Sequence, residues 1–221
     1  MTSDDMQETI GRITRNFKNR TLEQIADAEK RDKECRRRAH EYKLSVLRAD
    51  WNAPERHVRC KPNSDGQWGQ TLEKLTAKMG TGCLVGLIGT RGGGKTQMAV
   101  ELMKQVTERE NSARFITAVE FFMRIKDSYR SDASTTEDKI VRQFTKPHLL
   151  VIDEVGKRGG TDWENNLLFE LINRRYNKML DTLLIDNRSQ PEFTETIGPS
   201  LASRMNEGGG IIQCNWKCFR E

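Results

Sequence analysis

The sequence predicts an α/β fold in which a parallel sheet is covered by helices on both faces. Three observations lead there. Apolar runs of strand length, CLVGLIG, HLLVIDEVG and DTLLIDN, alternate with helix-length segments. The runs are continuous in character, as strands buried on both sides are. A glycine-rich turn joins the first run directly to a helix.

The 221 residues suffice for one good core and a small appendage. Charged residues make up 31% and hydrophobic residues 35%, so a charge-rich surface is expected. No apolar run approaches the roughly 20 residues of a membrane span, and MTSDDMQETI lacks the layout of a signal peptide. The net charge of +5 permits nucleic-acid contact without requiring it. Five cysteines, an odd number without a secretion signal, point to reduced thiols and a cytoplasmic location.

Residues 1–50 carry heavy charge at helical spacing. Ile10, Ile13 and Phe17 form one thin apolar stripe, and Leu22 and Ile25 a second. Such stripes cannot support a core of their own. The run KECRRRAH fits a solvated face. Residues 51–70, with two prolines and two glycines, suggest a linker or loop. The core is expected over 71–221.

That core opens with a short helix, Thr71 to Met79, closed by Gly80, and the strand CLVGLIG follows. The helix KTQMAVELMKQVTER buries Met98, Val100, Leu102, Met103 and Val106. Next come the strand ARFITAV and a helix through Tyr129. After a polar break, Ser134 with Glu137 gives a capping pattern for another helix. HLLVIDEVG is a buried strand, Thr161 with Glu164 caps a helix ending near Met179, and DTLLIDN is a further strand. A short helix is expected after Pro199, then a last strand.

Gly89 to Thr96 fits G-x-x-x-x-G-K-[ST] between a buried strand and a helix. Glycines let such a backbone curl its N–H groups toward a β-phosphate, with Lys95 reaching the β- and γ-phosphates and the Thr96 hydroxyl ligating Mg²⁺. The nucleotide-binding stretch is therefore Gly89, Thr90, Arg91, Gly92, Gly93, Gly94, Lys95, Thr96 and Gln97; the pattern gives no role for Arg91. In LLVIDEVG, Asp153 at the strand end suits a second Mg²⁺ contact through water, and Glu154 is placed to polarise an attacking water. Asn187, at the tip of TLLIDN, can touch the γ-phosphate or that water. Cys35, His40, His57 and Cys60 supply donors that zinc could use, but not at a common zinc spacing. Cys214 and Cys218 straddle Trp216 and fit packing.

Lys95/Thr96, Asp153-Glu154 and Asn187 in this order resemble the AAA+ ATPases. Within them, MRIKDSYRSDASTTED, INRRYNKM and LASRMNEGGGIIQCNWKCFRE resemble the DnaC/IstB group over roughly residues 70–221. The resemblance implies a P-loop AAA+ core and Mg-dependent ATP hydrolysis that is slow and stimulated by assembly. Arg204 matches the group's arginine finger, which reaches the nucleotide of a neighbouring subunit in a homo-oligomer. Lys126, Tyr129 and Arg130 resemble a segment facing single-stranded DNA. Arg174 and Arg175 fit either a subunit interface or a solvated face. The sequence stops at Glu221 directly after the last strand, leaving no C-terminal lid, as in this group. The implied function is ATP-dependent loading of a hexameric replicative helicase, bound through the N-terminal helical region 1–50, onto single-stranded DNA. The alternatives are a transposition helper ATPase and a nucleotide-gated adaptor with negligible turnover.

Overall fold

A computed structural model describes residues 3–62 and 66–216. The chain divides into two compact units, Met1–Ser45 and Val46–Glu221.

The first unit is carried by helix α1, Ser3–Ala49, whose 47 residues give a rod of about 70 Å at 1.5 Å per residue. The KECRRRAH run is a solvated face laced along its own helix. Arg36 pairs with Asp32 at 2.8 Å, Arg37 with Glu34 at 2.8 Å and Arg38 with Glu34 at 3.0 Å, all with side chains open to water. Exposed pairs at this spacing each add only about 0.3–0.5 kcal/mol. Ile25 is exposed; the side chains of Ile10, Ile13, Phe17 and Leu22 lie outside the described residues.

The second unit holds a five-stranded sheet in the order β2-β3-β4-β1-β5. The strands are β1 Leu84–Ile88, β2 Ala113–Thr117, β3 Leu149–Asp153, β4 Asp181–Ile185 and β5 Gly210–Gln213. All pairings are parallel, with Gly86 beside both Leu184 and Ile211. Strand periodicity divides the buried side chains between two faces. On one, Leu84, Ile88, Ile116, Leu150, Ile152 and Leu184 pack against five helices. These are α5 Ala118–Asp127, α6 Glu137–Thr145, α7 Asp162–Tyr176, α8 Gln190–Ile197 and α9 Pro199–Gly208. On the other, Val85, Leu87, Phe115, Val151, Leu183 and Ile185 meet α3 Gly66–Lys78, α4 Lys95–Glu108 and Trp51. The five residues expected on the buried side of α4 are all buried. Gly86 has no room for a side chain: a Cβ there would come within 2.8 Å of Phe193 and 3.1 Å of Met205.

Residues 51–70 depart from the linker expectation. Trp51 is 4% exposed; its indole N–H donates to Thr107 Oγ1 at 3.0 Å and its carbonyl accepts from Phe115 N at 2.7 Å. Pro54 leads into the one-turn helix α2, Glu55–Val58, and α3 begins at Gly66 rather than Thr71. Pro54 marks a helix start and both glycines fall within α3, an arrangement that local composition cannot distinguish from a free loop.

The N-cap of α6 is Thr136, whose hydroxyl accepts from Lys139 N, and not Ser134. Thr161 caps α7 as expected, but that helix closes at Tyr176. Helix α8 lay beyond the expected elements, although Ser189 and Glu192 form a full capping box at its start. Arg175 is neither solvated nor at an interface. It is 0% exposed and donates to Thr182 Oγ1 and to the carbonyls of Phe144, Pro147 and Asp181, tying α6, the connection after it and β4 to α7. Arg174, on the next position of the helix, is half-exposed and pairs with Glu170 and Asp138.

Candidate nucleotide site

At the carboxyl ends of β1, β3 and β4 lies a cavity of about 560 Å³, the place where a parallel sheet offers its strand tips to a ligand. Its walls include Arg91, Gly92, Gly94, Lys95, Thr96 and Gln97 from the glycine turn and α4. Asp153, Glu154 and Lys157 come from the end of β3, and Ile185 and Asn187 from the end of β4. Lys95, Thr96, Asp153, Glu154 and Asn187 thus converge from three strands and Arg91 takes a place in the wall, whereas Gly89, Thr90 and Gly93 do not line it.

The loop conformation depends on its glycines. Gly89, Gly92 and Gly94 have φ of 127°, 84° and 72°, values open to glycine and strained for other residues. A Cβ on Gly89 would also approach Cys214 O to 2.8 Å. The free N–H groups at the start of α4 face a site where the helix dipole favours negative charge.

Lys95 is 5% exposed, and its ammonium donates to Gly89 O at 2.8 Å and Thr90 O at 2.7 Å. Burial lowers its pKa, with Cys214, Asp153 and Asp186 opposing that shift. The Thr96 hydroxyl donates to Asp153 Oδ2 at 2.8 Å. Burial raises the Asp153 pKa, while the Thr96 hydrogen bond and the Glu154 N–H, at 2.7 Å from Oδ1, act to lower it.

Glu154 stands at φ 57°, a left-handed conformation for a side-chain-bearing residue, which aims the turn after β3 into the cavity. Its carboxylate pairs with Lys157 one turn on. That turn is held from β4: Arg188 donates to Gly156 O at 2.6 Å and to Thr196 Oγ1. A Cβ on Gly156 would strike Arg188 Nε and Asp186 Oδ2, each at 2.6 Å. Asp186, 4% exposed, accepts from Asn187 N at 2.6 Å and Arg188 N at 3.2 Å, fixing the tip that carries Asn187. One joint therefore sets Glu154 and Asn187 relative to each other.

Sequence reasoning missed the wall contributed by residues 56–62 and Trp68. Arg56, His57, Cys60, Lys61, Pro62 and Trp68 all line the cavity. His57 Nδ1 lies 2.8 Å from Gln97 Oε1, and Gln97 Nε2 donates to His57 O at 3.0 Å, so the Gln97 side chain anchors this wall. Only the aromatic and basic content of WNAPERHVRCKPNSDGQW signalled it.

The remaining expected residues lie outside the cavity. Arg204, on α9, stacks its guanidinium over Phe169 at 5.0 Å and Tyr176 at 5.5 Å. Lys126, near the end of α5, lies 3.6 Å from Glu164 Oε1 and 5.7 Å from the Trp163 ring. Tyr129 is 56% exposed and donates to Glu137, and Arg130 pairs with Asp132 at 3.4 Å. Among the described residues, no group of three or more His, Cys, Asp or Glu is placed to hold a metal. Cys218 lies outside the described residues.

A parallel sheet in this order, with a glycine loop and lysine at the tip of β1 and Asp-Glu at the tip of β3, defines a P-loop ATP-binding protein of AAA+ type. The IstB-like ATP-binding proteins match residues 7–205, and the chain belongs to that family. It is a distant homologue of the replicative helicase loader DnaC of Escherichia coli K12, 26% identical over 133 residues, or 60% of this chain and 54% of that one. A protein of insertion sequence IS5376 from Geobacillus stearothermophilus is 33% identical over 119 residues, 53% of this chain and 46% of that one. The aligned region thus spans about half the length of these relatives. The crystal structure of a DnaC helicase loader superposes with a TM-score of 0.58 at 20% identity, covering 75% of this chain and 98% of that one.

Proposed function

We propose that the chain is an ATP-hydrolysing loader that places a replicative helicase on single-stranded DNA. The observation that carries the hydrolytic part is the convergence of Lys95, Thr96, Asp153, Glu154 and Asn187 on one cavity. The Thr96 hydroxyl and Asp153 carboxylate are hard oxygen donors within 2.8 Å of each other, a pair that suits Mg²⁺. Together they would hold the ion, which supplies charge neutralisation at the phosphates when bound. The loop N–H groups and Lys95 bind the phosphates. Glu154, freed from Lys157, orients the attacking water and takes its proton, and Asn187 holds that water or the γ-phosphate in line.

Arg204 reaches a neighbouring protomer's nucleotide, so turnover depends on assembly. Its guanidinium stacks on Phe169 and Tyr176, and its Nη1 is buried with no hydrogen-bond partner among the described residues. Lys126, Tyr129 and Arg130 contact the single-stranded DNA, and the helical region 1–50 binds the helicase, working in the cytoplasm. Similarity to DnaC supports this reading.

A second reading, a transposition helper acting on duplex DNA, is favoured by the family match and by the insertion-sequence relative. Size-exclusion chromatography with a hexameric helicase from the same host, with and without ATP, separates the two. The loader reading expects co-elution through residues 1–50, and no co-elution in either state sinks it. Stable ATP-dependent retention on duplex DNA supports the helper instead. Glu154→Gln should keep ATP binding while turnover falls by roughly 10²-fold or more. Unchanged steady-state ATPase would leave only a nucleotide-gated adaptor.

A further inference from the structure

The segment after β5 closes against the phosphate loop. Cys214 N donates to Ile88 O at 2.8 Å, extending the ladder beyond the strand. Cys214 O lies 2.8 Å from where a Cβ on Gly89 would be. Two residues on, the Trp216 indole N–H donates to Gly93 O at 2.6 Å.

The peptide geometry gives that bond a consequence. In a planar trans peptide the carbonyl of one residue and the N–H of the next point in opposite directions. Gly92 and Gly94 line the cavity, whereas Trp216 does not. A Gly93 carbonyl drawn toward Trp216 therefore turns the Gly94 N–H toward the cavity. The next peptide needs no such help, because Gly94 O already accepts Met98 N of α4 at 2.8 Å, besides Trp68 Nε1 at 3.3 Å. Among the described residues, no backbone N–H reaches Gly93 O. With glycines at 92, 93 and 94, this peptide is otherwise the freest in the loop to rotate.

We propose that Trp216 is a positioning residue of the nucleotide site, whose indole N–H holds the Gly93–Gly94 peptide so that the Gly94 N–H is aimed at the nucleotide's phosphates. The proposal rests on the ATP-binding reading. It assigns a tryptophan just beyond the edge strand beside β1 to phosphate recognition rather than to packing alone. Its effect falls on the phosphates and not on the base, so ATP, ADP and inorganic pyrophosphate should respond alike.

The test is calorimetric binding of ATP, ADP and pyrophosphate to the full chain, comparing wild type, Trp216→Phe and Trp216→Ala. Phenylalanine keeps an aromatic ring and removes the N–H. Losing one such hydrogen bond should weaken all three ligands roughly five- to tenfold in the Phe variant. Normal affinity in Trp216→Phe, or weakening for ATP alone, overturns the proposal. So does a loss confined to Trp216→Ala, which would assign the effect to ring packing. A second measurement needs no variant to fold: the Trp216 indole N–H resonance of the wild type should exchange slowly and shift when pyrophosphate is added. Fast exchange with no shift overturns the proposal as well. A wild type that binds none of the three ligands refutes the nucleotide reading itself.

Discussion

Burial separates the four described cysteines into two pairs, Cys35 and Cys60 exposed and Cys83 and Cys214 buried. Burial pushes the Cys83 thiol up from 9.0 to about 12, with Asp181 adding to the shift, and burial likewise pushes Cys214 to about 12 against the influence of Lys95. A thiol ionises before it reacts, so a maleimide at about pH 8 should label Cys35 and Cys60 and spare the other two. Peptide mass spectrometry reads this directly, and labelling of Cys83 in the folded protein would contradict the described core. Cys60 lines the nucleotide cavity, so ATP should slow its labelling while leaving Cys35 unaffected. The sign of the pH effect follows from the raised values. Below about 9 both states keep these thiols neutral, and from 9 toward 12 only the unfolded chain loses its protons. Stability should therefore fall as pH rises through that window, as denaturant midpoints would report.

Two arginines act between elements. Arg175 holds α6, the connection after it and β4 to α7 with its guanidinium fully enclosed. Arg175→Ala strands buried carbonyls and opens a void, so unfolding free energy should drop by about 3–5 kcal/mol. A loss under about 1 kcal/mol in urea titrations would refute the clamp. Arg188 ties the Glu154 turn to the tip bearing Asn187 without touching the core. Arg188→Ala should lower kcat roughly tenfold or more through misplacement, while ATP affinity stays within about threefold. Gly156→Ala attacks the same joint from the other side and should show the same split. Equal changes in affinity and kcat would mean that the joint shapes binding instead.

On the scale of the whole chain, the unit Val46–Glu221 carries both faces of the sheet and the complete cavity. A chain starting at Val46 should unfold cooperatively, bind ATP and fail to co-elute with the helicase. A chain starting at Thr71, the boundary expected from composition, lacks Trp51 and Trp68 and the wall around His57. Each large buried aromatic contributes about 3–5 kcal/mol, so this shorter piece should lose cooperative unfolding and ATP binding. If it folds and binds as well as the longer piece, residues 51–70 are a linker after all.

Much of this was legible because it is local. Strands β1, β3 and β4 are continuous apolar runs, and the helix after the glycine turn carries its buried side at helical spacing. The phosphate loop needs only its own glycines, lysine and threonine in sequence. Those features, with the Asp-Glu and Asn at strand tips, determined the fold class and the AAA+ type from the sequence alone, and the segments MRIKDSYRSDASTTED, INRRYNKM and LASRMNEGGGIIQCNWKCFRE carried the resemblance to the family. What the tertiary structure decided involves partners far apart in the chain. Arg175 looked like any helix-surface arginine until α6 and β4 closed over it. Arg188 meets the Glu154 turn, Trp51 meets Thr107, and Trp216 meets Gly93 only because parallel strands bring their ends to one edge. Periodicity records which face of an element is buried. It does not record which distant hydrogen-bonding group that face will meet, and that choice is made by the order in which the strands assemble.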